Sequence, residues 1–525
     1  MKVLVSDNLS PNGIEILKRA GLEVDVKTGM PPEELKKCIG EYHGLIIRSA
    51  TKVTSEIVGA ATNLKVIGRA GSGLDNVDKA SATKKGIVVM NTPGGNTITT
   101  AEHTIALMFA MARQIPQATA SMKAGKWEKK RFMGMELYNK TLGIVGIGSI
   151  GKQVAKRAMA LEMNVIGYDP YLSEENAKEI GIEKVDLTSL FARSDIITIH
   201  TPITSETRNL INKNTIQIMK DGVRIINSAR GGIVNEADLY EALGTGKVAA
   251  AALDVFEKEP VEDNPLLTLN NVVCTPHLGA ATEEAQENVA IAIAEQVVDY
   301  LVHGVIRHAV NFPFIPSEQV LKVRPYLNLA ELLGSFASQV FEGAVTEITT
   351  EYRGEASEIG TAPVNVALLK GFLTPILEET VNYVNAPVIA KERGIKVRET
   401  KSSDAGDYQS MIILRVRTDG KENYLAGTLF SRKDPRIVKI NNFDVEIIPE
   451  GNMLFLYNND KPGVIGNIGS FMGRNNINIA RMHFGREAPG GLAISVVNID
   501  SPVTQSQLEE IKGLPNILSV KVVNL

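Results

Sequence analysis

The stretch Leu142–Gly151, LGIVGIGSIG, constrains this fold more than any other part of the sequence. An apolar run ending at Val145 breaks at Gly146, Gly148 and Gly151, and a helix-forming sequence, KQVAKRAMALEM, follows at once. The pattern is strand, tight turn, helix. The first glycine permits the turn, the second lets backbone N–H groups approach a pyrophosphate, and the third lets helix and strand pack closely. The helix N-terminus then faces the phosphates with its positive end. Spacing alone also fits an ordinary glycine-rich turn. Context separates the two, because Asn164–Tyr168 reads as the next strand and runs into Asp169. A carboxylate there accepts hydrogen bonds from both ribose hydroxyls and repels a 2′-phosphate, which points to NAD rather than NADP.

The rest of the chain is organised around that turn. From the N-terminus, β-branched runs (KVLVSD, LEVDVK, GLIIR, LKVIGRAG, GIVVMN) alternate with helical patterns, the signature of a parallel sheet covered on both faces. Ligands of such sheets bind beyond the carboxyl ends of the strands. Arg48 and Ser49 fall there, as do Arg69, Gly71 and Ser72, a set suited to an anion; a surface salt bridge would also account for either arginine alone. Residues 97–113 are helical and apolar almost all round, which predicts a helix buried between two domains. The basic loop KAGKWEKKRFMG follows, either a solvated charge run or a source of Lys129 and Arg131 for an anion in a neighbouring subunit.

Later strands of the second unit, DIITIH, VRIINSAR, VAAAALDV and VVCTPH, all end in polar or charged residues. Arg230, the turn after Asp254 that carries Glu259, and His277 therefore reach the same sheet edge as the glycine loop. The first unit spans residues 1–98 with a return at 296–316, and the second spans 99–295. Two prolines in Phe312–Pro316 read as a linker. Residues 317–450 mix two helical stretches with strand-like sequence and show no catalytic constellation. Residues 451–525 read strand, helix, strand, strand, helix, strand, the ferredoxin-like βαββαβ plan.

At 525 residues the chain has room for about three or four domains. Its formal net charge of −4 and its dispersed lysines and arginines argue against a nucleic-acid or membrane surface. Cys38 and Cys274 are the only cysteines, and neither has a partner at metal-ligand spacing. We therefore expect no disulfide framework, no metal and a reducing cytoplasm. The N-terminal apolar run is too short for a signal peptide, and no run of about 20 apolar residues occurs.

Taken together, GIVGIGSIG, the strand end YDP, NSARGGIVNEADL, ALDVFEKEP and TPHLGAAT resemble the D-isomer specific 2-hydroxyacid dehydrogenase family, in family order. RSATKVT, GRAGSGLDNVD and NTPGGNT, with two modules added behind, resemble its long, phosphoglycerate-oxidising branch. The resemblance covers essentially the whole chain. It implies two doubly wound α/β domains, a flavodoxin-like substrate domain and a Rossmann NAD domain, followed by two smaller α+β modules: an intervening allosteric domain and an ACT domain. It further implies Arg230, Glu259 and His277 as catalytic residues. Cofactor contacts are implied at Ser72, Gly146, Gly148, Ser149, Ile150, Gly151, Asp169, Thr201, Ser228, Ala229, Arg230, Asp254, His277 and Gly279. Arg48, Ser49, Arg69, Gly71, Asn96, Lys129 and Arg131 are implied to face substrate, 3-phosphoglycerate. L-serine is the implied effector, at Asn458, Asp460 and Asn478, and a homo-oligomer, dimer or tetramer, the implied assembly.

The residue types suit that chemistry. Oxidising a 2-hydroxy acid removes a hydroxyl proton as hydride leaves the same carbon, and a histidine titrating near neutrality can take the proton. A carboxylate partner stabilises the imidazolium, and an arginine fork holds the substrate carboxylate. Two rivals stand beside this reading: another 2-hydroxyacid dehydrogenase, such as a glyoxylate or hydroxypyruvate reductase, and a dinucleotide-sensing interaction protein on the same fold.

Overall fold

The computed structural model describes residues 1–313, 315, 319–377 and 380–525. Its first sheet contains β1 (Lys2–Val5), β2 (Glu23–Val26), β3 (Gly44–Ile47), β4 (Val66–Arg69) and β5 (Val88–Asn91), all parallel, in the order β2-β1-β3-β4-β5. β3, GLII, is buried at every position, as a strand covered on both faces must be. Arg48 follows β3 and Arg69 ends β4, so both stand at the carboxyl edge.

The second sheet contains β6 (Thr141–Val145), β7 (Asn164–Tyr168), β8 (Glu183–Lys184), β9 (Ile196–Ile199), β10 (Val223–Asn227), β11 (Val248–Leu253) and β12 (Val272–Cys274). Its order is β12-β11-β10-β9-β6-β7-β8, again parallel throughout. Strand order reverses between β6 and β9, directly beside the glycine loop, and such a switch point opens a ligand crevice. The helix Thr97–Arg113 covers one face through Leu107, Met108 and Met111. It is not enclosed all round as its composition predicts. Ile98 and Phe109 lie on its outer side, 49% and 37% exposed, because a single sheet face covers only one side of the helix.

The boundary expected at 295/296 cuts through the middle of a single helix, Glu283–His303. That helix belongs wholly to the first unit: Val289, Ala290, Ile293 and Val297 share a core with Val3, Val5, Val66 and Val88. Backbone approach is close, for a Cβ on Gly13 would lie 2.8 Å from the Ala290 carbonyl oxygen. The chain therefore crosses back near residues 279–283. Of the expected linker, Phe314 and Pro316 lie outside the described residues, as does Ser317, the expected start of the third unit.

The third unit is a mixed sheet of β13 (Val345–Gly354), β14 (Lys396–Ser402), β15 (Ser410–Thr418), β16 (Lys421–Phe430), β17 (Asp434–Ile440) and β18 (Phe443–Ile447), in the order β14-β13-β15-β16-β17-β18. The helices Val320–Val340 and Thr361–Leu373 pack on one face of it. The fourth contains β19 (Asn452–Asn459), β20 (Ile479–Arg486), β21 (Leu492–Ile499) and β22 (Ile517–Asn524), antiparallel in the order β20-β21-β19-β22. With helices Val464–Arg474 and Gln505–Lys512 this is the expected βαββαβ unit. Alternation along β19 gives each face its own neighbours. Leu454 and Leu456 pack on the unit's own helices, while Met453 and Phe455 join the core of the third unit, where the Phe455 and Phe336 rings meet edge-on at 6.0 Å.

Candidate functional site

At the glycine loop, sterics explain each glycine. Gly146 has φ +95°, and a Cβ there would lie 2.6 Å from the His200 carbonyl oxygen. A Cβ on Gly151 would lie 2.1 Å from the Gly146 carbonyl oxygen, whereas one on Gly148 would meet nothing within 4 Å. The loop is thus closed on its inner side and open above, with Ser149 and Ile150 starting the helix Ser149–Ala160. Asp169 is tied to this loop: its Oδ2 accepts from the Ile147 amide at 2.9 Å and its Oδ1 from the Tyr171 amide at 2.8 Å. The Thr201 hydroxyl is buried without a partner among the described residues. Open backbone donors, a tethered carboxylate and an unpaired hydroxyl fit a dinucleotide. The Ser228 hydroxyl bonds Thr104 at 2.7 Å, and the Ala229 amide donates to Asn227 at 3.1 Å.

Between the first two units lies a cleft of about 690 Å³. Arg48, Ser49, Arg69, Gly71, Ser72 and Asn96 line one wall, and Arg230, Glu259 and His277 the other. Glu259 Oε2 is 2.7 Å from His277 Nδ1, and Glu259 Oε1 accepts from the Phe256 amide at 3.0 Å. The hydrogen bond that His277 donates to Glu259, and then the Glu259 charge, raise the His277 pKa above the ordinary histidine value despite burial. Burial alone would push Glu259 up, but His277 and the Phe256 amide outweigh it and hold its carboxyl below the usual range. His277 sits at φ +57°, its amide donating to the Asp254 carbonyl at 2.9 Å. This turn is held from beneath. The fully buried Asp254 carboxylate accepts from the Thr275 hydroxyl at 2.6 Å and from the Leu278 and Gly279 amides at 2.7 and 2.8 Å.

Arg230 follows β10, and Asn227 Nδ2 donates to its carbonyl at 2.9 Å. Its Nε donates to Asp75 Oδ2 at 2.9 Å and its Nη1 to the Ala229 carbonyl at 2.6 Å. Arg48 is fixed through its amide, 2.6 Å from Asp7 Oδ2, and its Nη1 lies 3.3 Å from the Asn8 carbonyl. Arg69 is more constrained. Burial pulls its pKa down to about 10, and its Nε has no partner among the described residues. Such a guanidinium is suited to an anion that replaces lost water. The loop carrying Gly71 and Ser72 is held by Thr92, whose hydroxyl accepts from the Gly71 amide at 2.8 Å, and by Asn91, whose Nδ2 donates to the Ser72 carbonyl at 2.6 Å.

Two groups of expected residues are not gathered. Lys129 and Arg131 do not line the cleft of their own chain; Arg131 pairs with Glu128 at 3.1 Å and lies over the Phe132 ring. The reason is local, since an i,i+3 acidic neighbour captures the arginine. Asp460 accepts from the Gly490 amide at 2.9 Å and Arg486 at 3.1 Å, while Asn478 donates to Asp500 at 2.6 Å. Because Asn452 pairs with Ile499 and Asn459 with Leu492, Asp460 and Asn478 stand at opposite ends of β19, roughly 25 Å apart at ordinary strand rise. Asn458 is buried and accepts from the Ser495 hydroxyl at 2.9 Å.

Sequence reasoning passes over Asp75, His103 and Gln286. Asp75 lies within GRAGSGLDNVD, where an acid beside a strand-end arginine is a usable signal. His103, 3.2 Å from the Asp254 carboxylate, sits inside a helix and has none. Gln286 lines up behind Arg48, 3.5 Å from its Nη1. Among the described residues no group of three or more His, Cys, Asp or Glu is placed to hold a metal, and no helix is long and apolar enough to cross a membrane.

Three family profiles match the chain in order. Residues 105–279 match the NAD binding domain of D-isomer specific 2-hydroxyacid dehydrogenases, residues 322–441 the D-3-phosphoglycerate dehydrogenase intervening domain, and residues 452–516 the ACT domain. A D-3-phosphoglycerate dehydrogenase of Archaeoglobus fulgidus is 50% identical over 100% of both chains, and one of Bacillus subtilis is 43% identical over 100% of this chain and 99% of its own. Among solved structures, an NAD-dependent formate dehydrogenase of Staphylococcus aureus in complex with NAD is 28% identical, with a TM-score of 0.53 over 58% of this chain and 97% of its own. A glyoxylate reductase is 30% identical, with a TM-score of 0.55 over 59% of this chain and 98% of its own. The chain is an NAD-dependent oxidoreductase and belongs to the D-3-phosphoglycerate dehydrogenases, within the D-isomer specific 2-hydroxyacid dehydrogenase family.

Proposed function

We propose that the chain oxidises 3-phospho-D-glycerate to 3-phosphooxypyruvate, the entry step of L-serine synthesis, with NAD. The observation that carries this reading is the His277–Glu259 pair at 2.7 Å in a cleft lined by Arg48, Arg69 and Arg230. Arg230 holds the C1 carboxylate in a fork, and Arg48 and Arg69 take the phosphate. With Nδ1 engaged by Glu259, His277 Nε2 removes the hydroxyl proton, and the Glu259 charge stabilises the imidazolium that forms. The glycine loop and Asp169 would hold NAD, which would supply the hydride acceptor. In the reverse direction the same imidazolium returns the proton.

The test is a panel of 2-hydroxy and 2-oxo acids followed by absorbance of the reduced cofactor. Turnover of 3-phosphoglycerate well above that of unphosphorylated acids is the expected result; a preference for glyoxylate or hydroxypyruvate overturns it.

L-serine is the effector in this reading, bound at the ACT module. Since Asp460 and Asn478 stand at opposite ends of one module, they meet only across two modules, which calls for a homo-oligomer. Exposed apolar side chains between residues 98 and 138, including Ile115, Met122, Trp127 and Met133, support an assembled dimer or tetramer in which Lys129 and Arg131 reach a neighbour's cleft. Serine titration by calorimetry, alongside sedimentation, tests both; a monomer without serine binding removes both. Two free cysteines suit the reducing cytoplasm.

A further inference from the structure

We propose that Asp75 is a positioning residue that fixes the Arg230 guanidinium across the cleft, turning its terminal nitrogens toward the carboxylate of a 2-hydroxy acid. The inference rests on the reading of Arg230 as the carboxylate holder and adds the group that aims it.

Asp75 and Arg230 stand on opposite walls. Arg230 follows β10 of the second unit, while Asp75 lies in the loop after β4 of the first, and Nε to Oδ2 is 2.9 Å. The same loop passes under the end of the guanidinium: a Cβ on Gly73 would lie 2.2 Å from Arg230 Nη2, so a side chain there would push the group away. Of the five donors of an arginine, Asp75 takes Nε–H and the Ala229 carbonyl takes one on Nη1. What stays available is the end-on pair of Nη1 and Nη2, the face that matches a carboxylate in two parallel bonds. Left free, so long a side chain samples many rotamers and loses them on binding.

A plain counter-ion role is the competing account, because Arg48 and Arg69 line the same cleft. Arg69 feels the difference: after burial, the neighbouring Arg230 lowers its pKa and Asp75 opposes that. The two accounts differ in sign. Removing a mere counter-ion leaves the cleft more positive and tightens an anionic substrate, whereas removing a positioning group loosens it.

The experiment is steady-state kinetics of full-length Asp75→Asn, Asp75→Ala and Asp75→Glu, alone and with Arg230→Lys, whose ammonium has no Nε to hold. We expect kcat/KM for 3-phosphoglycerate to fall about 10- to 100-fold in Asp75→Ala, the scale of a misplaced substrate. The KM for NAD and the melting temperature should stay put, and Asp75→Glu should recover part of the loss. In the Arg230→Lys background Asp75→Ala should add less than about twofold. An unchanged or lowered KM for 3-phosphoglycerate in Asp75→Asn and Asp75→Ala, or a full further loss in the Arg230→Lys background, overturns the proposal. Normal Asp75 variants beside a crippled Arg230→Lys count against Asp75 alone; normal turnover by Arg230→Lys counts against the Arg230 reading itself.

Discussion

His277 draws its properties from one hydrogen bond. Because Glu259 raises the pKa of its imidazolium, the neutral base needed for oxidation accumulates only above the ordinary histidine range. Oxidation should therefore rise with pH through that raised value. In Glu259→Gln the charge is gone, and the ascending limb should move to lower pH with some loss of rate; a profile that does not move would separate Glu259 from His277. His277→Asn should lower kcat by about 10² to 10⁴, the usual worth of a placed acid–base group, while NAD still binds by fluorescence titration. Asp169→Ala should raise the KM for NAD and narrow the preference over NADP, since its carboxylate is tethered to the glycine loop by the Ile147 amide. Kinetics left unchanged by the substitution with both cofactors would place Asp169 outside the site. At this scale the sequence was legible wherever a residue ended a strand: Arg48, Arg69, Arg230 and His277 follow runs of buried β-branched residues and so had to reach the sheet edge. Gln286 stands behind Arg48 from 238 residues away, and nothing in a linear pattern marks such a partner. Arg131 pairs with Glu128 within its own chain, and a reach into a neighbouring subunit is not written in the sequence of one chain.

Secondary-structure elements divide by how they are buried. β3 and β9 sit inside parallel sheets and are buried at every position, with at most one polar residue between them, so they are readable. β14, KVRETKS, is an edge strand exposed along almost its whole length; no alternation betrays it. Which unit the helix Glu283–His303 serves depends on Ala290 meeting Gly13, a contact no local pattern encodes. The glycine loop offers a test of element against ligand. Gly151→Ala places a Cβ 2.1 Å from a backbone oxygen, so the turn must open, at a cost of about 1–3 kcal/mol seen as a lower melting temperature. Gly148→Ala meets no neighbour within 4 Å at φ −75°, so the fold should keep its melting temperature. The KM for NAD should rise, because the added methyl stands where phosphate must approach. Matching effects of the two substitutions on melting would refute that division.

Across the whole molecule, cores and units do not coincide. The third and fourth units share one core through Phe336 and Phe455, while the second keeps its own and the first takes in only Val384 from the third. Heating should therefore melt residues 319–525 together, and Phe455→Ala, a fully buried aromatic lost, should cost that half about 3–5 kcal/mol. Differential scanning calorimetry should show the other transition unmoved; a shift of both would mean one cooperative block. The shared core also means that cutting at residue 450 bares Phe336 and its neighbours, so a truncated chain is a poor probe of serine inhibition compared with substitutions at Asp460 or Asn478. One feature of the first unit reaches beyond the finished molecule. Its sheet is complete by Asn91, yet the helix that covers it ends at His303. On a ribosome, emerging N-terminus first at about 5–20 residues per second, that sheet waits some ten seconds or more with one apolar face only partly covered, by the helix Pro11–Arg19, while the contiguous second unit closes ahead of it. Birth order and folding order are thus reversed, and the nascent first unit is the natural client of whatever shields greasy surfaces during translation.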